Sequence, residues 1–169
     1  MKFAAALAFT CLFALSISAQ KNPSFTAVGM NGEKVDTAAL RGKVVVINLW
    51  FINCPNCVEE IKKLNALVDD YKGNSDVVFL GLAASPKGDL QKFLAQNPFK
   101  YQIVPNAQMI IISKFGVPDA SGEINVPFPM HYVLDRTGMV VAKAQGVKGI
   151  EDVRYALKVQ LAKKAGALP

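Results

Sequence analysis

The residues Cys54-Pro55-Asn56-Cys57 close the run Val44-Val45-Val46-Ile47-Asn48-Leu49-Trp50-Phe51-Ile52-Asn53. The β-branched apolar stretch reads as a strand buried on both faces, and a helical pattern starts at the proline. A C-x-x-C pair where such a strand meets a helix reads as a redox dithiol. The helix start leaves N–H groups unpaired and carries a partial positive charge. Cys54 stands just outside that end, so its thiolate is stabilised and it attacks. Cys57 lies one turn inside, less exposed but near enough to close a disulfide with Cys54, and it resolves. Pro55 suits the first helical position, where a missing N–H costs nothing.

The third cysteine, Cys11, belongs to a different kind of segment. Lys2 precedes the apolar stretch Phe3 to Ile17, and Ser18-Ala19 supplies small residues for cleavage. This pattern marks residues 1–19 as a signal peptide and 20–169 as one folded domain. The expected location is periplasmic or otherwise exported, with an N-terminal membrane anchor if the segment is retained. No later stretch is apolar for long enough to span a bilayer. Export puts the remaining two cysteines where disulfides persist. A purely structural bridge between them would close too short a loop to constrain the unfolded chain much.

The formal charge of +6 comes from dispersed lysines such as Lys62, Lys63, Lys87, Lys92, Lys163 and Lys164. Without an arginine block or interleaved aromatics, they read as solvated helix faces and not as a nucleic-acid surface.

The central run, with Gly42-Lys43 before it, Asn48 within it and Trp50-Phe51 ahead of the cysteine pair, resembles the active-site strand of the thioredoxin-like superfamily. Within that superfamily it resembles the TlpA/ResA-type thiol–disulfide oxidoreductases. That branch often has Trp immediately before the first cysteine, where this chain has Asn53. The Pro and Thr that precede a peroxidatic cysteine are absent. The run Pro129-Met130-His131-Tyr132-Val133-Leu134-Asp135 is similar to the strand that the family places opposite the disulfide. The resemblance implies a cis Phe128–Pro129 bond there, with Phe128 and Pro129 beside the substrate. Pro127 is the lesser candidate.

The other elements fit that architecture. Ser24 to Val28 and Lys34-Val35 flank the turn signal Asn31-Gly32, and Thr37 to Leu40 reads as a helical turn. Ile61, Leu64, Leu67, Val68 and Tyr71 form a helical stripe, and Val77 to Leu82 a second buried strand. An inserted helix, Asp89 to Gln96, precedes a short strand, Tyr101 to Val104. Asn106 is the expected cap of a helix ending near Phe115, with Gly116 as its stop. Residues 118–125 read as an exposed loop. The turn Asp135 to Gly138 leads into the strand Met139 to Ala142, and Gly149 is the expected start of the last helix. The fold class is α/β: a thioredoxin fold with a central mixed sheet flanked by helices, an N-terminal β-hairpin and a helix–strand insertion.

Several residues near the dithiol invite roles. Asn48 occupies the place of the buried acid of plain thioredoxins, and an amide cannot take a proton from Cys57. Glu60, three residues after Cys57 on the same helix side, can. The resemblance offers a precedent, since some TlpA/ResA-type reductases have a glutamate at the matching place. Alternatively, Glu59 and Glu60 are first-turn acids favoured by the helix dipole. Trp50 and Pro55 complete the expected substrate-facing set, although Trp50 also reads as a packing residue. His131, the only histidine, could join Cys54 and Cys57 in a site for soft copper. That metal-delivery alternative suffers from the spacing, because copper-assembly proteins of this fold space their cysteines C-x-x-x-C.

The expected partners are protein thiols and disulfides together with an upstream electron donor. No organic cofactor is implied beyond the dithiol. Without a histidine between the cysteines, and with Glu60 disfavouring a nearby thiolate, the disulfide form should be stable and the protein a reductant. The resemblance points the same way, toward disulfide reduction in an oxidising compartment, with cytochrome c maturation one setting.

Overall fold

The computed structural model describes residues 22–164, so the signal-peptide assignment to 1–19 and Cys11 lie outside the described residues. Two short strands, β1 (Thr26–Val28) and β2 (Lys34–Asp36), form an antiparallel hairpin. The backbone N–H of Met30 in its turn donates to Ile103 O at 2.8 Å, which ties the hairpin to the domain edge. A 3-10 turn, Thr37–Leu40, capped by the Asp36 side chain, leads to the fully buried strand β3 (Val44–Trp50).

Helices α1 (Pro55–Glu59) and α2 (Ile61–Asp70) follow, then β4 (Val77–Ala83), α3 (Lys87–Gln96), β5 (Gln102–Val104) and α4 (Gln108–Phe115). The chain ends its described part with a small hairpin, β6 (Val117–Pro118) and β7 (Ile124–Asn125), then β8 (Met130–Leu134), β9 (Val140–Gln145) and α5 (Gly146–Lys164). The central sheet runs β5-β4-β3-β8-β9, with β3, β4 and β5 parallel and β8 and β9 antiparallel.

The alternation of β3 divides the core. Val45, Ile47 and Leu49 join Ile111 and Phe115 of α4 and Phe25 and Val35 of the hairpin region. Val44 and Val46 join Leu64 and Leu67 of α2 and Ile150, Val153 and Leu157 of α5. Period-two patterning thus builds a sheet covered on both faces. Among the described residues, no helix is long and apolar enough to cross a membrane.

The structure corrects four local expectations. The helix after the cysteines is interrupted at Glu60, whose N–H turns back to Val58 O while its own carbonyl starts α2 by accepting from Leu64 N. Asn106 caps nothing: it takes a left-handed conformation (φ 53°), and α4 starts from Ala107 without a side-chain cap. Residues 118–125 are not a plain loop, since β6 and β7 pair across the Asp119–Gly122 turn. The last helix starts at Gly146, and Gly149 lies inside it, where a Cβ would come within 2.9 Å of Ala144 Cβ.

Candidate active site

Cys54 and Cys57 are joined as a disulfide, with Cα atoms 5.2 Å apart. Strand β3 and the bend after it aim this pair. Ser85, in the loop after β4, accepts from Ile52 N through its hydroxyl at 3.0 Å, fixing the approach to the first cysteine. Cys54 is the N-cap of α1, with Pro55 at its first position, and its sulfur accepts from Cys57 N at 3.2 Å. That N–H is one of the helix's orphan donors, so it favours negative charge on the Cys54 sulfur when the bridge opens. Cys54 is 6% exposed and Cys57 1%. Both are buried, and Cys54 is the less deeply so.

In and beside the motif, Asn53, Pro55, Asn56 and Glu59 are exposed. The Phe128–Pro129 bond is cis. Phe128 packs against the cluster that holds both cysteines, and its ring meets Phe51 edge-on at 5.1 Å. Pro129 is buried, and its carbonyl accepts from Gly146 N at 3.2 Å, anchoring the strand to the start of α5. A recess of about 290 Å³, lined by Asn56, Glu59, Gln145, Gly146, Val147 and Lys148, runs beside the motif.

Trp50 does not belong to the substrate-facing set. It is fully buried, stacked on Phe99 with centroids 4.5 Å apart and tilted against Phe93 at 5.7 Å. It is the floor under the disulfide, reached by no substrate in this state.

Where α1 gives way to α2, a polar group is buried against the sheet. Across the sheet, Ile103, Gly81, Asn48, His131 and Ala144 are register partners in one row. Asn48 and His131 leave this row toward the face covered by α2 and α5, where Glu60 arrives from the junction of α1 and α2. Asn48 Nδ2 donates to Glu60 Oε1 at 3.2 Å and faces His131 Nδ1 at 3.4 Å. His131 Nε2 lies 3.2 Å from Glu60 Oε2. Tyr101 donates its hydroxyl to Asn48 Oδ1 at 3.3 Å. Glu60 and His131 are both fully buried. Burial holds the Tyr101 hydroxyl well above the usual phenol pKa, and the Glu60 carboxylate raises it further.

These contacts place Glu60 in a polar network and not on a solvated first turn. His131 is committed to the same network. Among the described residues, no cluster of three or more His, Cys, Asp or Glu side chains is arranged to hold a metal ion. Tyr101 carries no sequence signal beyond its place at the start of a strand. Its only hint is the need of a buried phenol for a partner.

The model of the AhpC/TSA family matches residues 19–143. The chain belongs to that family. Among curated relatives, the thiol–disulfide oxidoreductase ResA of Bacillus anthracis is 26% identical over 136 residues, covering 80% of this chain and 74% of the relative. The soluble secreted antigen MPT53 of Mycobacterium bovis is 28% identical over 121 residues, 68% of each chain.

The fold is that of a thiol:disulfide interchange protein of the thioredoxin family from Chlorobium tepidum TLS. The TM-score is 0.69 at 22% identity, covering 84% of this chain and 96% of that one. A DsbF homologue from Corynebacterium diphtheriae gives a TM-score of 0.67 at 19% identity, covering 82% and 85%. With the Cys54–Cys57 bridge at the N-terminus of α1 and curated thiol–disulfide oxidoreductases among its relatives, the protein is a thiol–disulfide oxidoreductase.

Proposed function

We propose that the protein works outside the cytoplasm as a reductase of protein disulfides, with Cys54 as nucleophile and Cys57 as resolver. The observation that supports this division of labour is at the helix start: the Cys54 sulfur accepts from the N–H of Cys57, and Cys54 is the less deeply buried of the two. In the reduced protein, the Cys54 thiolate attacks a substrate disulfide and forms a mixed disulfide, releasing one substrate thiol. Cys57 then loses its proton and attacks the Cys54 sulfur, releasing the second thiol and regenerating the bridge. An upstream electron donor reopens it.

Glu60 is the base for the second step. It is the carboxylate one helical turn beyond Cys57, buried where water is scarce. The substrate chain lies against Pro55, Phe128 and Pro129. Phe128 belongs to no strand ladder, so its backbone is available to pair with an extended peptide. Export is supported by the signal-like segment 1–19 and by the secreted relative. Substrates of this class include the haem-binding cysteine pairs of apocytochrome c, the setting suggested by the ResA resemblance.

A redox titration against glutathione tests the direction. The expected midpoint lies nearer the thioredoxin value of about −270 mV than the roughly −120 mV of a strong oxidant. A midpoint at the oxidising end, with rapid oxidation of reduced substrate proteins, would mean that the protein makes disulfides.

A further inference from the structure

The donor and acceptor directions of the buried network resolve into one pattern. Asn48 Oδ1 accepts from Tyr101, so its Nδ2 supplies protons: one to Glu60 Oε1 and one toward His131 Nδ1. An imidazole nitrogen that faces a donor is the unprotonated one, which leaves the proton on Nε2. Nε2 is the atom facing Glu60 Oε2 at 3.2 Å. Both carboxylate oxygens are therefore held by N–H donors from two strands, β3 and β8. Those strands are rigid neighbours in the sheet, with Asn48 and His131 directly opposite each other. The carboxylate itself sits at the break between α1 and α2, where the helix alone would not fix it.

We infer that His131 is a positioning residue for the resolution step: its Nε2–H fixes the Glu60 carboxylate as the acceptor of the Cys57 proton. This rests on the base role given to Glu60 above and adds the residue through which that role is set. In the mixed disulfide, the Cys57 thiol transfers its proton to Glu60. The Cys57 sulfur then bonds to the Cys54 sulfur and the Cys54–substrate bond breaks. The departing substrate sulfur leaves as a thiolate and is protonated from solvent, and Glu60 returns its proton to solvent. Two electrons move from the protein dithiol to the substrate disulfide, and no other oxidant or reductant is consumed. His131 gives no proton up and touches no sulfur in this scheme. Without its N–H, Glu60 would keep only the Asn48 donor and be free to turn.

Stopped-flow reaction of the reduced protein with the aromatic disulfide 5,5′-dithiobis(2-nitrobenzoate) separates the two steps. The first thionitrobenzoate released reports attack by Cys54, and the second reports resolution by Cys57. The expected result for Glu60→Gln is a second phase slowed about 100-fold, the lower range of a general-base effect. His131→Leu should slow the second phase about tenfold and leave the first within about twofold. His131→Gln, which can donate to Glu60 and accept from Asn48, should recover most of the rate. In the Glu60→Gln background, His131→Leu should add no further slowing, because the group it acts through is gone.

An unchanged second phase in Glu60→Gln would remove both the base role and this inference. A slow Glu60→Gln with a fast His131→Leu would remove the role of His131 alone. If His131→Leu slows both phases equally, or slows Glu60→Gln by the same factor as the wild type, the residue serves the fold and the inference fails. Should His131→Leu not fold, His131→Gln and His131→Asn decide the point. The shorter Asn should resolve more slowly than Gln, and equal rates for the two would overturn the positioning role.

Discussion

Asn48 of β3 and His131 of β8 stand directly opposite each other in an antiparallel ladder, and both reach Glu60. A polar cross-strand pair buried within a sheet costs stability unless every polar atom is matched. Here the matching is shared. Asn48 uses its amide nitrogen for Glu60 and its oxygen for Tyr101, so it joins the group as a neutral linker where an acid would add a second charge.

The substitution Asn48→Asp tests that neutrality. An ionised aspartate in place of the amide would face the Glu60 carboxylate across the 3.2 Å now spanned by a hydrogen bond, and neither site is open to solvent. Two carboxylates so placed hold one proton between them, which raises one of their pKa values. The folded state of the variant then binds the extra proton more tightly than the unfolded chain. Its stability should be retained below the ordinary aspartate range and lost as the pH rises through the raised value. Denaturant melts should show a deficit of about 3 kcal/mol at pH 7, shrinking toward pH 4. A constant deficit across that range would mean that charge is not the cause.

Tyr101 gives a prediction at the other end of the pH scale. Burial and Glu60 hold its phenol well above its usual value. The folded state therefore keeps the proton after the unfolded chain has released it. The resulting stabilisation is complete below a pH of about 10 and lost as the pH climbs through the raised value. Tyr101→Phe removes both the hydrogen bond to Asn48 and this alkaline loss. At pH 7 it should cost about 1 kcal/mol, and the gap to the wild type should narrow above pH 10. Chemical denaturation at a series of alkaline pH values measures it, and a gap that widens would contradict the assignment.

Much of this site is legible from local patterning, because its parts are contiguous in sequence. The dithiol, the strand that delivers it and the Pro129 strand each carry their own signal within a dozen residues. The buried network does not. Asn48, Glu60, Tyr101 and His131 come from four elements and meet only because β3 pairs with β8 on one side and β4, then β5, on the other. Residue type alone sets His131 beside the cysteines as a ligand; strand register sends it to Glu60 instead. Trp50 misleads for a related reason. An aromatic residue near a motif looks like a platform, but the parity of β3 turns it inward onto Phe93 and Phe99. The break at Glu60 is hidden by an apolar stripe that stays helical on either side of it.

The division of labour between the cysteines is open to alkylation. In the bridged form the Cys54 sulfur accepts from the Cys57 N–H, and Cys54 is the less deeply buried of the two; the same arrangement after reduction makes Cys54 the more reactive thiol. Iodoacetamide near neutral pH should label Cys54 at least about tenfold faster, as mass spectrometry of the peptides would show. Cys57→Ser should accumulate mixed disulfides with substrate proteins through Cys54, whereas Cys54→Ser should accumulate none. Faster labelling of Cys57 would exchange the two roles.

Gly81 offers a test of how the sheet makes room for the network. It is the register partner of Asn48 on β4. A Cβ there would lie 2.5 Å from Ile103 Cδ1 and 3.2 Å from both Trp50 Nε1 and Tyr101 Cε2. The missing side chain lets the two aromatic rings lie across the strand, and Tyr101 reaches Asn48 from there. Gly81→Ala must push these groups aside at a cost of about 1–3 kcal/mol. Gly116→Ala is the natural control: its Cβ would come within 2.4 Å of the Ile112 carbonyl, at the end of α4, whose core contacts lie on the opposite sheet face from the network. Both variants should be destabilised. Only Gly81→Ala should change the fluorescence of Trp50, the single tryptophan, and slow the resolution phase. If Gly116→Ala slows resolution as much as Gly81→Ala does, general loosening of the fold accounts for both, and the space over residue 81 has no special bearing on the site.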